Sequence, residues 1–186
     1  MKVYTVGPDT KFQMVTTDNK EFFRSFPEYG KPLGNCEFPS FYVEDLKAKK
    51  GNFFSTVRGP LLFDQKALNA LTPSIQLAGE LFSVPVEEQV ELTYCNLLEV
   101  CDCLDEEKSS APVSPFTGKK SQIIQFAFKS SKIQSKSGLF RIPYGRSAKI
   151  FAVTDMPSRE DDFYSLYHSA ELTGLEFRWQ WTDEEK

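Results

Sequence analysis

The chain has 186 residues and a net charge of −4, and aromatic residues, 17 phenylalanines among them, make up 14% of it. A chain of this length can bury a sizeable core, and this aromatic content argues against a disordered protein. No apolar run approaches the roughly 20 residues that a membrane-spanning helix needs. The first residues also lack the apolar stretch of a signal peptide, so we expect no membrane association and a cytoplasmic location.

Short apolar or alternating runs dominate the sequence and predict strands rather than helices. Prolines and glycines interrupt residues 1–50, which we expect to form an irregular N-terminal part packed on a main domain of residues 51–186. In chain order, the predicted strands are Lys2–Val6, Phe38–Val43, Phe53–Val57, Glu80–Val86, Val90–Cys103, Gln122–Phe128, Leu139–Ile142, Lys149–Thr154 and Leu175–Trp181. Lys149–Thr154 is apolar on both faces, which predicts a central strand, and Gln122–Phe128 should place Ile124, Phe126 and Phe128 on one face.

Two helices are predicted between these strands. Asp64 can cap a short helix that ends before Pro73 and turns Ala67, Leu68 and Leu71 inward. The second helix is predicted over Ser158–Leu172, with Ser158 and Asp161 forming its capping-box-like start and Gly174 its C-terminal stop. Its inner face would carry Phe163, Leu166, Tyr167 and Ala170. Short connections between many strands then favour an α+β fold, a mostly antiparallel sheet with two helices packed against it.

Residues that could carry chemistry are few. His168 is the single histidine and cannot build a zinc site of several histidines, so we interpret it as a solvated residue near the helix end. Cysteines 36, 95, 101 and 103 contain no CxxC pair and are interpreted as free, buried thiols. Asp102 and Asp105 could form a catalytic carboxylate pair, but no phosphate-binding or calcium-binding motif accompanies them. The sequence therefore predicts no catalytic residues, no metal and no cofactor.

The last predicted strand carries both tryptophans. Leu175, Phe177, Trp179 and Trp181 share one strand parity, which predicts that all four face the core. An exposed aromatic platform is the alternative.

Charge is segregated along the chain. Nine acids and no base lie between Glu80 and Glu107, whereas eight bases and no acid lie between Ser109 and Thr154. If the two blocks form neighbouring strands, their charges pair across the sheet. Alternatively, one block is an exposed interaction face, or the basic block 119–149, with Phe126, Phe128, Phe140 and Tyr144 interleaved, binds nucleic acid.

Several segments after residue 50 follow a familiar order. They are Gly59–Phe63, Leu97–Asp105 with its V-x-D-x-L-D pattern, Gly138–Pro143 with L-F-R-I-P, Lys149–Asp155, and Leu172–Phe177 with T-G-L-E-F. This order, over roughly residues 50–181, resembles a bacterial family first described as a domain of unknown function and later assigned to immunity proteins of polymorphic toxin systems. The resemblance implies a cytoplasmic protein without catalytic residues that binds and neutralises a cognate toxin.

From the sequence we therefore expect a non-enzymatic immunity protein. Two alternatives stay open: a small cytosolic enzyme or ligand-binding protein with a site built from scattered residues, and a nucleic-acid binder that uses the basic block. The expected toxin-binding residues are the acids at the end of the predicted strand Val90–Cys103 and in the Ser/Pro-rich loop that follows it, Asp102, Asp105, Glu106 and Glu107. For Asp102 and Asp105 the competing interpretation is that they bond backbone groups at the strand end.

Overall fold

The computed structural model describes residues 1–19, 21–22, 28–56, 59–87, 91–112, 123–143, 149–155 and 162–184. Its helices are α1 (Gln65–Ala78) and α2 (Phe163–Ser169). Its strands are β1 (Lys2–Pro8), β2 (Val15–Thr16), β3 (Tyr42–Val43), β4 (Phe53–Thr56), β5 (Gly59–Phe63), β6 (Gly79–Val84), β7 (Leu92–Leu97), β8 (Leu139–Phe140), β9 (Ile150–Thr154) and β10 (Leu175–Thr182). Every pair of these strands is antiparallel, so the predicted α+β class is confirmed.

The strands form two four-stranded sheets and one short ribbon. The first sheet has the order β10-β1-β9-β8, the second has the order β4-β5-β7-β6, and β2 pairs with β3. The prediction of a central strand at Lys149–Thr154 is confirmed, because β9 is an inner strand and all five of its residues are buried. β1 lies between β9 and β10, so this sheet combines the first strand of the chain with the last three.

Three apolar clusters form the core. The first lies between the two helices and both sheets and contains Phe53, Phe63, Leu71 and Phe163. The second covers the opposite face of the first sheet, where Phe126, Phe128, Phe140 and Phe151 meet in edge-to-face and stacked pairs. The third packs the N-terminal part, through Val15 and Phe41, on the second sheet. The phenylalanines are thus divided over several faces rather than one.

Helix α1 starts as predicted but is longer. The Asp64 carboxylate accepts a hydrogen bond from the Ala67 amide at 2.9 Å, as an N-cap does. The prediction that the helix ends before Pro73 is wrong, since Pro73 lies inside it. A proline costs one helical hydrogen bond, but Ile75 and Ala78 follow it and are completely buried in the first cluster. Burial of these side chains offsets the lost hydrogen bond.

Helix α2 is shorter than predicted. It begins after Asp162, whose extended backbone and capping bond to the Ser165 amide at 2.8 Å mark the start; Ser158 and Asp161 lie outside the described residues. The helix ends at Ser169, and Glu171 takes a left-handed φ of 51°. Gly174 is therefore not the helix stop. A Cβ there would lie 2.3 Å from the Phe53 carbonyl oxygen, so glycine permits close approach of two strands instead.

Three predicted strands are wrong in extent. The strand predicted over Val90–Cys103 ends at Leu97, because Leu98 and Glu99 turn back to donate to the Ala78 carbonyl. Phe38–Val43 contains only the two-residue β3. The segment 123–128 is paired only at isolated bridges, and Ile124 is 67% exposed while its neighbour Ile123 is buried.

The prediction that the four apolar residues of the last strand all face the core is also wrong. Leu175 is buried, and Phe177 and Trp181 pack partly buried against separate clusters, but Trp179 is 51% exposed. The register explains this result: Tyr4 pairs with Trp179 and Val3 with Trp181, so Gln180 is an extra residue that forms a β-bulge. In the described part of the chain, no helix is long and apolar enough to cross a membrane.

Candidate functional site

The predicted acidic residues lie on the segment 102–107, whose first part is anchored on the second cluster and whose last part forms a turn. Cys101 and Cys103 point into that cluster and are 7% and 0% exposed. The Cys101 amide donates to the Arg141 carbonyl at 2.8 Å, and the Cys103 carbonyl accepts from the Lys129 amide at 2.8 Å. Residues 100–105 are therefore held between two neighbouring segments although they do not form a regular strand. Because the turn is already fixed in the free protein, it loses little conformational freedom when its side chains bind a partner.

The turn itself is closed by Asp105. Its amide donates to the Ala127 carbonyl at 2.9 Å, and its carbonyl accepts from the Ser109 amide at 2.9 Å. Its carboxylate accepts from the Lys108 amide at 3.3 Å. The competing interpretation of Asp105, a carboxylate that bonds backbone groups, therefore describes its geometry, and Asp105 is a positioning residue of the turn.

The other three acids point to solvent. Asp102, Glu106 and Glu107 are exposed, and none of their carboxylates makes a hydrogen bond or ion pair with another residue in the described ranges. For Asp102, this geometry does not match the interpretation of a backbone-bonding carboxylate. Asp102 precedes the turn and Glu106 and Glu107 lie on it, so the anchored segment 102–107 carries three exposed carboxylates that can attract a cationic partner.

An exposed isoleucine beside the turn is a residue that sequence reasoning missed. The Ile124 amide donates to the Ser110 carbonyl at 2.9 Å, so Ile124 lies across from the end of the acidic turn. It is 67% exposed, the same as Leu46 and more than any other large apolar residue that the structure describes as exposed. Its alternating position predicted that it shares a face with Phe126 and Phe128, but those two side chains are buried and the bend at residue 124 turns Ile124 outward. Apolar side chains with a charged surround are typical of binding surfaces.

Other carboxylates of the acidic block have structural partners. Glu99 accepts hydrogen bonds from the Lys136 and Ser137 amides at 2.5 and 2.9 Å, and from the hydroxyls of Ser135 and Ser137. Glu80 accepts from the Leu33 amide at 2.7 Å and from the Asn96 side chain at 3.0 Å. Although desolvation raises the pKa of Glu80, these hydrogen bonds outweigh it and lower the pKa below its usual value. The acidic and basic blocks do meet at Glu99, through backbone and hydroxyl groups.

In residues 123–143 and 149, the part of the basic block that the structure describes, the phenylalanines do not form the exposed aromatic platform that nucleic-acid binding would use. Phe126, Phe128 and Phe140 are at most 4% exposed, so their rings are not available for stacking on bases. Lys149 lies 4.7 Å from the centre of the Phe126 ring, and Arg141 lies over the Tyr29 ring. Tyr144, like Lys119, Lys120 and Arg146, lies outside the described residues.

Three of the four cysteines are buried, and the histidine lies on the surface near the end of α2. All four cysteines are free thiols, and burial raises the pKa values of Cys95 and Cys103 to about 12, which keeps them protonated at neutral pH. His168 is exposed in the last turn of α2, where its ring contacts Tyr164, Tyr167 and Phe177. No cluster of three or more histidine, cysteine or acidic residues suited to a metal ion occurs in the ranges that the structure describes.

Two open surface depressions are lined in part by residues of β6. One, of about 510 Å³, is lined by residues 34–37 and Phe82. The other, of about 300 Å³, lies at the end of α1 and is lined in part by Leu77, Glu99 and Lys136. In the second depression, the Glu99 carboxylate already accepts hydrogen bonds from residues 135–137.

Comparisons with known proteins do not assign the chain to a family. No protein-family model matches the chain, and no curated protein matches it either.

Proposed function

We propose that this chain is a non-enzymatic, cytoplasmic binding protein of the immunity type, which neutralises a toxin by covering its functional surface. The observation that carries the proposal is the anchored segment 102–107 with the exposed, unpaired carboxylates of Asp102, Glu106 and Glu107. The order of sequence segments that resembles the immunity-protein family supports the same function independently of this geometry.

The chemistry of the turn defines the partner that would fit it. Three carboxylates speed the encounter with a cationic surface and can accept charge-assisted hydrogen bonds from arginine or lysine. Ile124 supplies an apolar contact at the side of this acidic surface, and Asp105 keeps the turn in shape. The partner is therefore a toxin with a basic surface around an apolar depression, as enzymes that cut nucleic acids present.

The proposal predicts a toxin gene beside the gene for this chain, and the test uses the protein that this gene encodes. Cells that express the toxin alone should stop growing, and co-expression of this chain should restore growth. With purified proteins, inhibition of the toxin should be stoichiometric, so that half a molar equivalent of this chain leaves about half of the toxin active. An undiminished toxin activity at molar excess would contradict the proposal, and inactivation by catalytic amounts would favour the enzyme alternative.

A further inference from the structure

We propose that the outer edge of β10 pairs with the same edge of a second copy of this chain, forming a two-fold symmetric, weakly associated dimer. The inference rests on the backbone direction of this edge strand and on the order of its side chains. It concerns a surface that is separate from the acidic turn, and it does not depend on the function of that turn.

The backbone of β10 offers hydrogen-bonding groups to solvent. β10 is an edge strand, paired only with β1 in the described sheet. The Asp9 amide donates to the Gly174 carbonyl at 3.0 Å, and along an antiparallel strand the backbone groups of successive residues point alternately toward and away from the neighbour. The backbone groups of Glu176 and Arg178 therefore point toward β1. Those of Leu175, Phe177 and Trp179 point outward. The Leu175 amide does point outward and donates to the Tyr167 hydroxyl at 3.1 Å. No backbone partner for the outward groups of Phe177 and Trp179 occurs within the described residues.

The segment available for pairing is short and symmetric about Phe177. On one side it ends where the Tyr167 hydroxyl occupies the Leu175 amide, and on the other side it ends at the bulge of Gln180. Five residues of regular strand lie between these limits, with Phe177 at the centre; because the Tyr167 hydroxyl occupies the Leu175 amide, the backbone hydrogen bonds of the pair are those of the two Phe177 residues. If the two-fold axis of the dimer passes beside Phe177, the outward amide and carbonyl of Phe177 form hydrogen bonds with the carbonyl and amide of Phe177 in the second copy.

Charge selects this register over its neighbours. With the axis at Phe177, Glu176 lies directly opposite Arg178 of the second copy, and this contact occurs twice. If the axis passed through Glu176 instead, two Glu176 side chains would lie opposite each other, and if it passed through Arg178, two Arg178 side chains would. Both side chains are exposed, and they already lie together within one chain, with the Arg178 guanidinium 2.8 Å from the Glu176 carboxylate. In the dimer, Glu176 and Arg178 of the second copy would occupy a non-hydrogen-bonded position, where the Cα atoms of paired residues are about 4.5 Å apart and their side chains are close.

The other face of the same segment supplies apolar contact. With the axis at Phe177, Trp179 lies across from Leu175 of the second copy, and the half-exposed indole becomes covered. A five-residue strand pair buries less than the roughly 1,200 Å² of a standard interface, so the dimer should be weak and should dissociate on dilution.

Sedimentation equilibrium over a concentration series tests the dimer. The wild-type chain should show a monomer–dimer equilibrium that shifts to monomer with added salt, because salt screens the exposed charges. The variants Glu176→Arg and Arg178→Glu should each raise the dissociation constant at least about tenfold, since each places like charges opposite each other twice. Their thermal unfolding midpoints serve as the folding control and should stay close to that of the wild type.

Complementation makes the test specific to this edge. An equimolar mixture of the two single variants should form a mixed dimer about as tight as the wild type, because each introduced charge then faces its opposite. The double variant E176R/R178E should dimerise with itself for the same reason. A wild-type chain that is monomeric even at about 1 mM would overturn the inference and leave the edge to an extended segment of another protein. A dimer that the single variants do not weaken, or that the mixture does not restore, would also overturn it.

Discussion

Trp179 and Trp181 lie two residues apart on β10 and yet project from opposite faces of the first sheet, because Trp179 pairs with Tyr4 and Trp181 with Val3. Tyr4 stacks on Tyr164 of α2 at 4.7 Å, so Trp179 lies on the helix-bearing face, at its open edge. Trp181 lies on the other face and meets the Phe128 ring at 6.0 Å in the second cluster. The bulge thus supplies one aromatic side chain to the surface and one to the core.

This relationship predicts different stability effects for the two tryptophans. Trp179→Ala should change the free energy of unfolding of the monomer by no more than about 0.5 kcal/mol, because the side chain is half exposed. Trp181→Ala should cost about 2 kcal/mol, less than a fully buried tryptophan, since its side chain is partly buried. Urea denaturation of both variants, at a concentration where the chain is monomeric, checks the order. Equal losses would contradict the assignment of the faces.

The hydrogen bonds around Glu99 predict a structural carboxylate outside the binding turn. Glu99→Ala should leave the Lys136 and Ser137 amides without their acceptor and should cost about 2 kcal/mol of stability. Glu106→Ala is the matched control, because Glu106 is exposed and contributes no hydrogen bond within the described structure. The control should unfold at the same urea concentration as the wild type. A Glu99 variant as stable as the control would show that these hydrogen bonds contribute no net free energy.

A third prediction concerns the cap of α2. Asp162 is 1% exposed, and its carboxylate accepts hydrogen bonds from the Ser165 amide and from the hydroxyls of Ser165 and Thr154. Asp162→Ala should therefore cost about 2 kcal/mol, at the upper end for a helix cap. Asp162→Asn keeps one acceptor oxygen and should lose less. Calorimetry would contradict the account if both variants melted with the wild type.

The buried thiols predict both slow labelling and an alkaline loss of stability. With an alkylating reagent at pH 8, mass spectrometry should find the native chain modified at Cys36, the only half-buried thiol, and at all four cysteines after unfolding. The folded pKa values of Cys95 and Cys103, about 12, exceed the roughly 8.5 of an unfolded thiol. Their contribution to stability is therefore complete below about pH 8.5 and is lost as the pH rises toward 12. Replacing both with alanine should flatten this part of the pH profile, and rapid native labelling of Cys95 would contradict their burial.

Sequence patterns predicted the elements better than their ends. Asp64 and the apolar spacing after it located α1, and the doubly apolar run at Ile150–Thr154 located the inner strand. Tertiary packing then decided what local signals could not. Burial of Ile75 and Ala78 carries α1 past Pro73, and the close contact between Gly174 and Phe53 explains a glycine that sequence analysis interpreted as a helix stop.

The candidate site was predictable only in part. A Ser/Pro-rich stretch with consecutive acids indicated an exposed turn, and Glu106 and Glu107 are exposed there. The sequence could not show that Asp105 closes the turn while Asp102 stays exposed, because this depends on which carboxylate reaches the Lys108 amide in the folded turn. Alternation with a period of two predicted that Ile124 shares a face with Phe126 and Phe128 and that Trp179 faces the core, because such a pattern cannot reveal a bend or a bulge. Both exposed side chains follow from such local irregularities.

The central claim is that the acidic turn is the surface that meets the toxin. The variant Glu106→Lys/Glu107→Lys reverses two exposed charges, and the matched control Glu37→Lys/Glu44→Lys changes the net charge equally at two exposed positions in the N-terminal part. The most direct measurement is the association rate constant of each variant with the toxin over a range of salt concentrations. The account predicts that reversal on the turn slows association about tenfold or more and flattens its salt dependence, while the control changes both much less. Equal rates and equal salt dependence for the turn variant and the wild type would contradict it.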